Sequence, residues 1–142
     1  MKVRRIHHVA LAHDGDSPLL GILEGACDLA VDHVEDGPGF TERMWPVGDC
    51  HLQTLEATGE GVVARSIESR GPGLHHIALE VDDVAAALAD LKNRGLRVID
   101  DEPRRGGGDT LIAFVHPSAF DGVMVELVQE MAPSDATETG RT

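Results

Sequence analysis

The feature that most constrains this chain is a histidine-bearing strand pattern that occurs twice. IHHVALA stands near the N-terminus and LHHIALE begins at Leu74, with His8 and His76 in matching places sixty-eight positions apart. In a strand successive side chains point to opposite faces. His76, Ala78 and Glu80 therefore share one face, and His75, Ile77 and Leu79 the other, which the apolar pair marks as a core side. His76 is then aimed at whatever the opposite face encloses. A motif recurring after about half of a 142-residue chain predicts a duplicated unit.

The rest of the chain fits two copies. Val3 to Ala12 reads as a strand, His13 to Asp16 as a turn, and Ser17-Pro18 as the cap of a short helix from Leu19 to Gly25. Strands follow at Leu29 to Glu35, at Phe40 to Trp45 (stopped by Pro46) and at His51 to Glu56, with the Asp36–Gly39 run as a turn. Gly59 to Arg70 has helical spacing and ends at Gly71-Pro72. The second copy runs from the Gly73–Val81 strand into a helix at Val84 to Arg94, capped by Asp82 or Asp83 and closed by Gly95. Strands at Leu96 to Asp101, Leu111 to His116 and Val123 to Val128 complete it, with Arg104 to Gly108 as a basic, glycine-rich loop. The expected class is α+β, with two tandem β-α-β-β-β modules forming a curved, incompletely closed eight-stranded sheet around a metal site. Module one spans 1–58, a linker helix 59–72, module two 73–130 and a polar tail 131–142, all in one domain.

Superposing the copies also sets Gln53, in HLQTLE, opposite Glu126, in VMVELV. Two imidazoles, one amide oxygen and one carboxylate at repeat-equivalent positions would suit a borderline divalent ion, with water or substrate completing an octahedron. Cobalt or manganese fits six ligands best; nickel and zinc accept the same donors. Glu126 stands among Val125, Leu127 and Val128, where a carboxylate needs a partner. A histidine on a strand is ordinarily just a satisfied polar residue; four suitable residues at repeat-equivalent positions are much less often an accident.

Composition narrows the partners. A formal charge of −13 disfavours nucleic acid and anionic membrane surfaces. No apolar run approaches the ~20 residues of a membrane span, and the N-terminal dozen lacks the apolar core of a signal peptide, so a cytoplasmic location is expected. Cys27 and Cys50 are too few for a disulfide framework.

GPGLHHIALEVDDV, EPRRGGG, FVHP and GVMVELV, with IHHVALA and HLQTLEA, resemble the methylmalonyl-CoA epimerases of the vicinal oxygen chelate superfamily over most of the chain. The resemblance implies a metal held by His8, Gln53, His76 and Glu126. It also implies an acid–base residue at Glu42, in FTERMW, a homodimer, and an acyl-CoA substrate. The implied reaction interconverts the (R) and (S) epimers of methylmalonyl-CoA, or of a close 2-substituted malonyl-CoA, by two-base proton transfer through a metal-stabilised enolate. Glu42 and Glu126 would be the two bases. Arg104 and Arg105 would meet CoA phosphates, although a solvated turn is an equal reading. His51 and Met44, sharing alternation faces with Gln53 and Glu42 respectively, would line the pocket, and His51 is also an alternative ligand. The first helix is short and lacks aromatic residues, and Asp109 and Leu111 depart from the family's usual loop. Two other readings stand beside this one: a glyoxalase-type metal-dependent lyase or isomerase acting on a thiol conjugate, and a small-molecule binding module of the same fold.

Overall fold

The structure is a computed structural model that describes residues 1–131. Of the polar tail expected over 131–142, residues 132–142 lie outside the described residues. Contacts divide the chain into two compact units, His7–His76 on one side and Met1–Ile6 with the chain from Ile77 onward on the other.

In the first unit, β1 (Val3–Asp14) is followed by α1 (Leu19–Glu24), β2 (His33–Gly37), β3 (Phe40–Val47), β4 (Cys50–Ala57) and α2 (Val62–Arg70). β2, β3 and β4 form an antiparallel meander, and β4 returns parallel to β1 with His8 beside His51 and Ala10 beside Gln53. One face of this sheet divides along its length. Towards the C-terminal end of β1, Ala10, Ala12, Leu55 and Val63 form a buried cluster that Phe40 and Ile67 complete, so α2 covers this part. The same register leaves His8, Gln53 and Glu42 on the remainder of that face.

β5 (Gly73–Val81) begins in the first unit and passes at Ile77 into the second, which also takes α3 (Val84–Asn93), β6 (Arg104–Gly106), β7 (Thr110–Val115) and β8 (Val125–Glu130). Here too the last strand, β8, lies parallel to the first, β5, with Ala78 beside Glu126. β6, β7 and β8 repeat the antiparallel meander. The strand order β2-β3-β4-β1-β5-β8-β7-β6 makes an eight-stranded mixed sheet, the α+β class the duplicated pattern implies. The Asp83 carboxylate caps α3 by accepting from the Ala86 amide at 3.0 Å. The stripe Val84, Ala87, Leu88 and Leu91 then packs on Ala113, Val115, Val125 and Leu127. A fully buried leucine in such a stripe contributes on the order of 1.5–3 kcal/mol.

The structure corrects four local expectations. Leu96–Asp101 is not a strand: only Val98 bridges Val115, and the Asp100 carboxylate takes the Phe114 amide that a ladder partner would have taken. The glycine-rich stretch read as a loop contains β6. Gly108 and Asp109 both have positive φ and turn the chain back on itself, so that Arg104–Gly106 pairs with Thr110–Ile112. β2 begins at His33 rather than Leu29. β3 also runs through Pro46 to Val47, because β2 begins only opposite Met44 and the amide that proline lacks would face a side with no partner strand.

Contact requires a glycine in the β2–β3 turn. Gly39 (φ +78°) sits in the β2–β3 turn, where any Cβ would collide with the Glu60 carbonyl oxygen; its own carbonyl accepts from Thr58 and Gly59. This close approach ties the hairpin to the start of the linker. The face assignment on β5 also shifts. His76 and Ala78 are fully buried while Ile77 and Leu79 are only partly so, so the histidine face is the more enclosed one.

Candidate metal centre

Within the His7–His76 unit, the duplicated strands bring their histidines together. His8 and His76 are both buried, and their Nε2 atoms face each other at 3.1 Å. The flanking histidines turn inward as well. His7 Nδ1 lies 2.8 Å from His8 Nδ1, and His75 Nδ1 lies 2.8 Å from His76 Nδ1. Four imidazoles thus form a chain, His7–His8–His76–His75. Burial, followed by the proximity of His8 and His75, holds the His76 pKa well below the usual imidazole value. A neutral ring keeps the lone pair that metal ligation requires.

Gln53 and Glu42 form the second pair. Register places Gln53 beside Ala10 on β1 and opposite Met44 on β3, two positions from Glu42. The Gln53 amide Nε2 donates to Glu42 Oε1 at 2.9 Å. That orientation fixes the other end: Gln53 Oε1 is buried and has no hydrogen-bond partner among the described residues. Leaving such an oxygen unpaired costs on the order of 1–3 kcal/mol, so it is open to a donor or a cation beyond the described residues. Two inward imidazole nitrogens and an orphaned amide oxygen are the donors a borderline divalent ion takes.

The structure treats the remaining candidates differently. His51 shares the face of Gln53, but its Nε2 is 3.1 Å from Asp32 Oδ2, so an ion pair occupies it when protonated. Met44 is partly buried on β3. In the other unit, Glu126 is buried on β8 between Ala78 and Phe114 in register. Arg104 and Arg105 are exposed on β6. Arg104 pairs with Asp100 at 3.2 Å and lies over the Phe114 ring.

Sequence reasoning missed His33, whose Nε2 lies 4.0 Å from Glu42 Oε2 and 3.5 Å from Glu35 Oε1. The alternation of His33, Glu35 and Gly37 was its only signal, and starting β2 at Leu29 hides it. Sequence alternation also puts His7 and His75 on the faces opposite their neighbours, whereas their ring nitrogens meet those of His8 and His76. No helix among the described residues is long and apolar enough to cross a membrane.

The chain is similar to known proteins over most of its length. Residues 7–114 match the model of the glyoxalase/bleomycin resistance protein/dioxygenase superfamily. The chain is 31% identical to an ethylmalonyl-CoA/methylmalonyl-CoA epimerase of Cereibacter sphaeroides over 89% of its own length and 98% of the relative's. It is 39% identical to the mitochondrial methylmalonyl-CoA epimerase of Homo sapiens, over 88% of this chain and 73% of that one. A Streptomyces coelicolor methylmalonyl-CoA epimerase variant, solved in complex with 2-nitronate-propionyl-CoA, superposes with a TM-score of 0.83 at 34% identity. That match covers 92% of this chain and 97% of the other.

Proposed function

The chain belongs to the glyoxalase/bleomycin resistance protein/dioxygenase superfamily, and we propose that it is a metal-dependent epimerase of methylmalonyl-CoA or a close 2-substituted malonyl-CoA. The observation that carries the metal part of this reading is the orphaned Gln53 Oε1, on the same sheet face as His8. His8, Gln53 and His76 would hold the ion, with Glu126 as the fourth ligand by repeat equivalence to Gln53.

The reaction inverts a carbon flanked by a thioester and a carboxylate, so a proton must leave one face and return to the other. When bound, the ion acts as a Lewis acid on the substrate's carbonyl oxygen. Glu42 is the base on one face. Its carboxylate is mostly buried, oriented at Oε1 by the Gln53 amide and with Oε2 near His33 Nε2, and it would take the proton. Glu126 serves the other face and returns a proton there. Which of the two takes and which gives depends on the epimer bound, so each works as acid and base by turns.

Arg104 and Arg105 are the candidates for CoA phosphates, with His51 and Met44 lining the acyl site. A homodimer working in the cytoplasm, with cobalt or manganese as the native ion, completes the proposal. A glyoxalase-type reaction on a thiol conjugate fits the same donors, but the relatives compared above carry epimerase names, and the pairing of Gln53 with Glu42 supplies the base that proton transfer needs.

The test is exchange of the α-proton. Purified, metal-loaded protein in deuterated water should incorporate deuterium at C2 of methylmalonyl-CoA and convert one epimer to the other. Absence of both, with activity towards a glutathione hemithioacetal instead, would move the chain to the lyase class.

A further inference from the structure

We infer that His7 and His75 are positioning residues: each accepts a hydrogen bond from Nδ1–H of the neighbouring ligand histidine and so holds Nε2 of His8 and His76 free of a proton for the ion. The inference rests on the metal-site reading above and adds two residues to it.

A neutral imidazole carries one proton on two nitrogens, and only the bare nitrogen can ligate. The Nε2 atoms of His8 and His76 are the ones that face each other, so ligation there requires the proton of each ring to sit on Nδ1. Each Nδ1 lies 2.8 Å from the Nδ1 of the preceding histidine. A hydrogen bond at that distance needs one proton, not two. If the ligand ring supplies it, His7 and His75 must present a bare Nδ1 and carry their own proton on Nε2. A partner on the non-ligating nitrogen is how proteins fix both the tautomer and the plane of a metal-bound histidine.

Two observations separate this from incidental contact. Adjacent strand residues point to opposite faces, so a meeting of their ring nitrogens is not the default. The two copies also repeat the arrangement closely: ring centroids are 5.0 Å apart in both pairs, with interplanar angles of 74° and 75°. His7 is itself buried, so its placement there carries a desolvation cost unless its nitrogens are used.

The experiment uses the full chain with Co²⁺ or Zn²⁺ alone as the probe. Nitrogen-15 NMR of the histidine rings in the zinc-loaded wild type should show His8 and His76 protonated on Nδ1, and His7 and His75 on Nε2. His7→Leu and His75→Leu should each weaken Co²⁺ binding roughly 10–100-fold in chelator competition, the usual effect of losing such a partner. His7→Asp should restore most of that affinity, because Asp Oδ1 stands the same number of bonds from Cα as imidazole Nδ1 and can only accept. A purely packing role predicts no such rescue. His8→Ala is the control for the underlying reading. If it binds Co²⁺ like wild type, the metal site is wrong and this inference falls with it. If His8→Ala abolishes binding while the leucine variants bind normally, only the positioning role is lost. Where a leucine variant does not fold, the wild-type spectrum still decides, since an Nδ1–H on His7 or His75 overturns the assignment.

Discussion

Gln53 gives its amide Nε2 to Glu42 and keeps a buried Oε1 without a partner among the described residues. One side chain therefore has two distinguishable duties, orienting a carboxylate and presenting an oxygen. Gln53→Leu removes both and should reduce metal affinity and turnover together. Gln53→Glu keeps an oxygen ligand but replaces the donor to Glu42 with a like charge. Metal content should then be retained, while turnover falls by about tenfold or more, because Glu42 loses the donor that holds it in place. Metal analysis beside epimerisation rate checks both variants, and equal loss of metal in both would mean that Oε1 chemistry does not matter.

The ion itself should be removable. Dialysis against a chelator should abolish epimerisation, and cobalt or manganese should restore it best, since two imidazoles and two oxygens leave room for further ligands on an ion that prefers six. Zinc restoring full rate where cobalt does not would count against an octahedral site. The readout is rate per bound ion after titration with each metal.

Much of this was legible because duplication turns weak signals into paired ones. A single strand histidine says little, but His8 with His76 and Gln53 with Glu126 recur at repeat-equivalent positions, and the first pair does meet. The Asp83 cap and the α3 stripe were readable because local chemistry decides them. What alternation did not give is side-chain reach. Alternation puts His7 and His75 on the opposite faces, yet their rings contact the neighbouring ring nitrogens. β6 was hidden for a related reason: glycines that usually mark loops here supply the turn of a hairpin, and the pairing of Arg104–Gly106 depends on β7 rather than on its own composition.

His76 makes stability depend on pH. Its folded pKa is lowered by burial first and then by His8 and His75, relative to the usual 6.5. Above that value neither the folded nor the unfolded chain protonates this ring, and its neutral burial carries no pH-dependent cost. As pH falls below 6.5, the unfolded chain takes a proton that folded His76 refuses, so stability is progressively lost towards the lower folded pKa. Metal-free protein should therefore show a lower urea midpoint at pH 5.5 than at pH 7.5. His76→Asn should shrink that difference. An unchanged difference would assign the acid sensitivity to other groups.

Glu42 separates the base from the ligands most cleanly. It accepts from Gln53 and stands near His33 Nε2, and it is proposed to move a proton without touching the ion. Glu42→Gln should accordingly leave metal content unchanged, since the amide replaces the carboxylate with almost the same volume. Epimerisation needs both faces of the carbon served, so turnover should fall by at least the roughly 10²-fold typical of a positioned acid–base group. Solvent exchange should then become unequal. The epimer whose proton faces Glu126 should still exchange deuterium, while the other slows far more, and quenched time points on each pure epimer would show the split. Should Glu42→Gln epimerise at nearly the wild-type rate, the second base must lie elsewhere on that face, and His51 with its Asp32 partner is the first residue to replace.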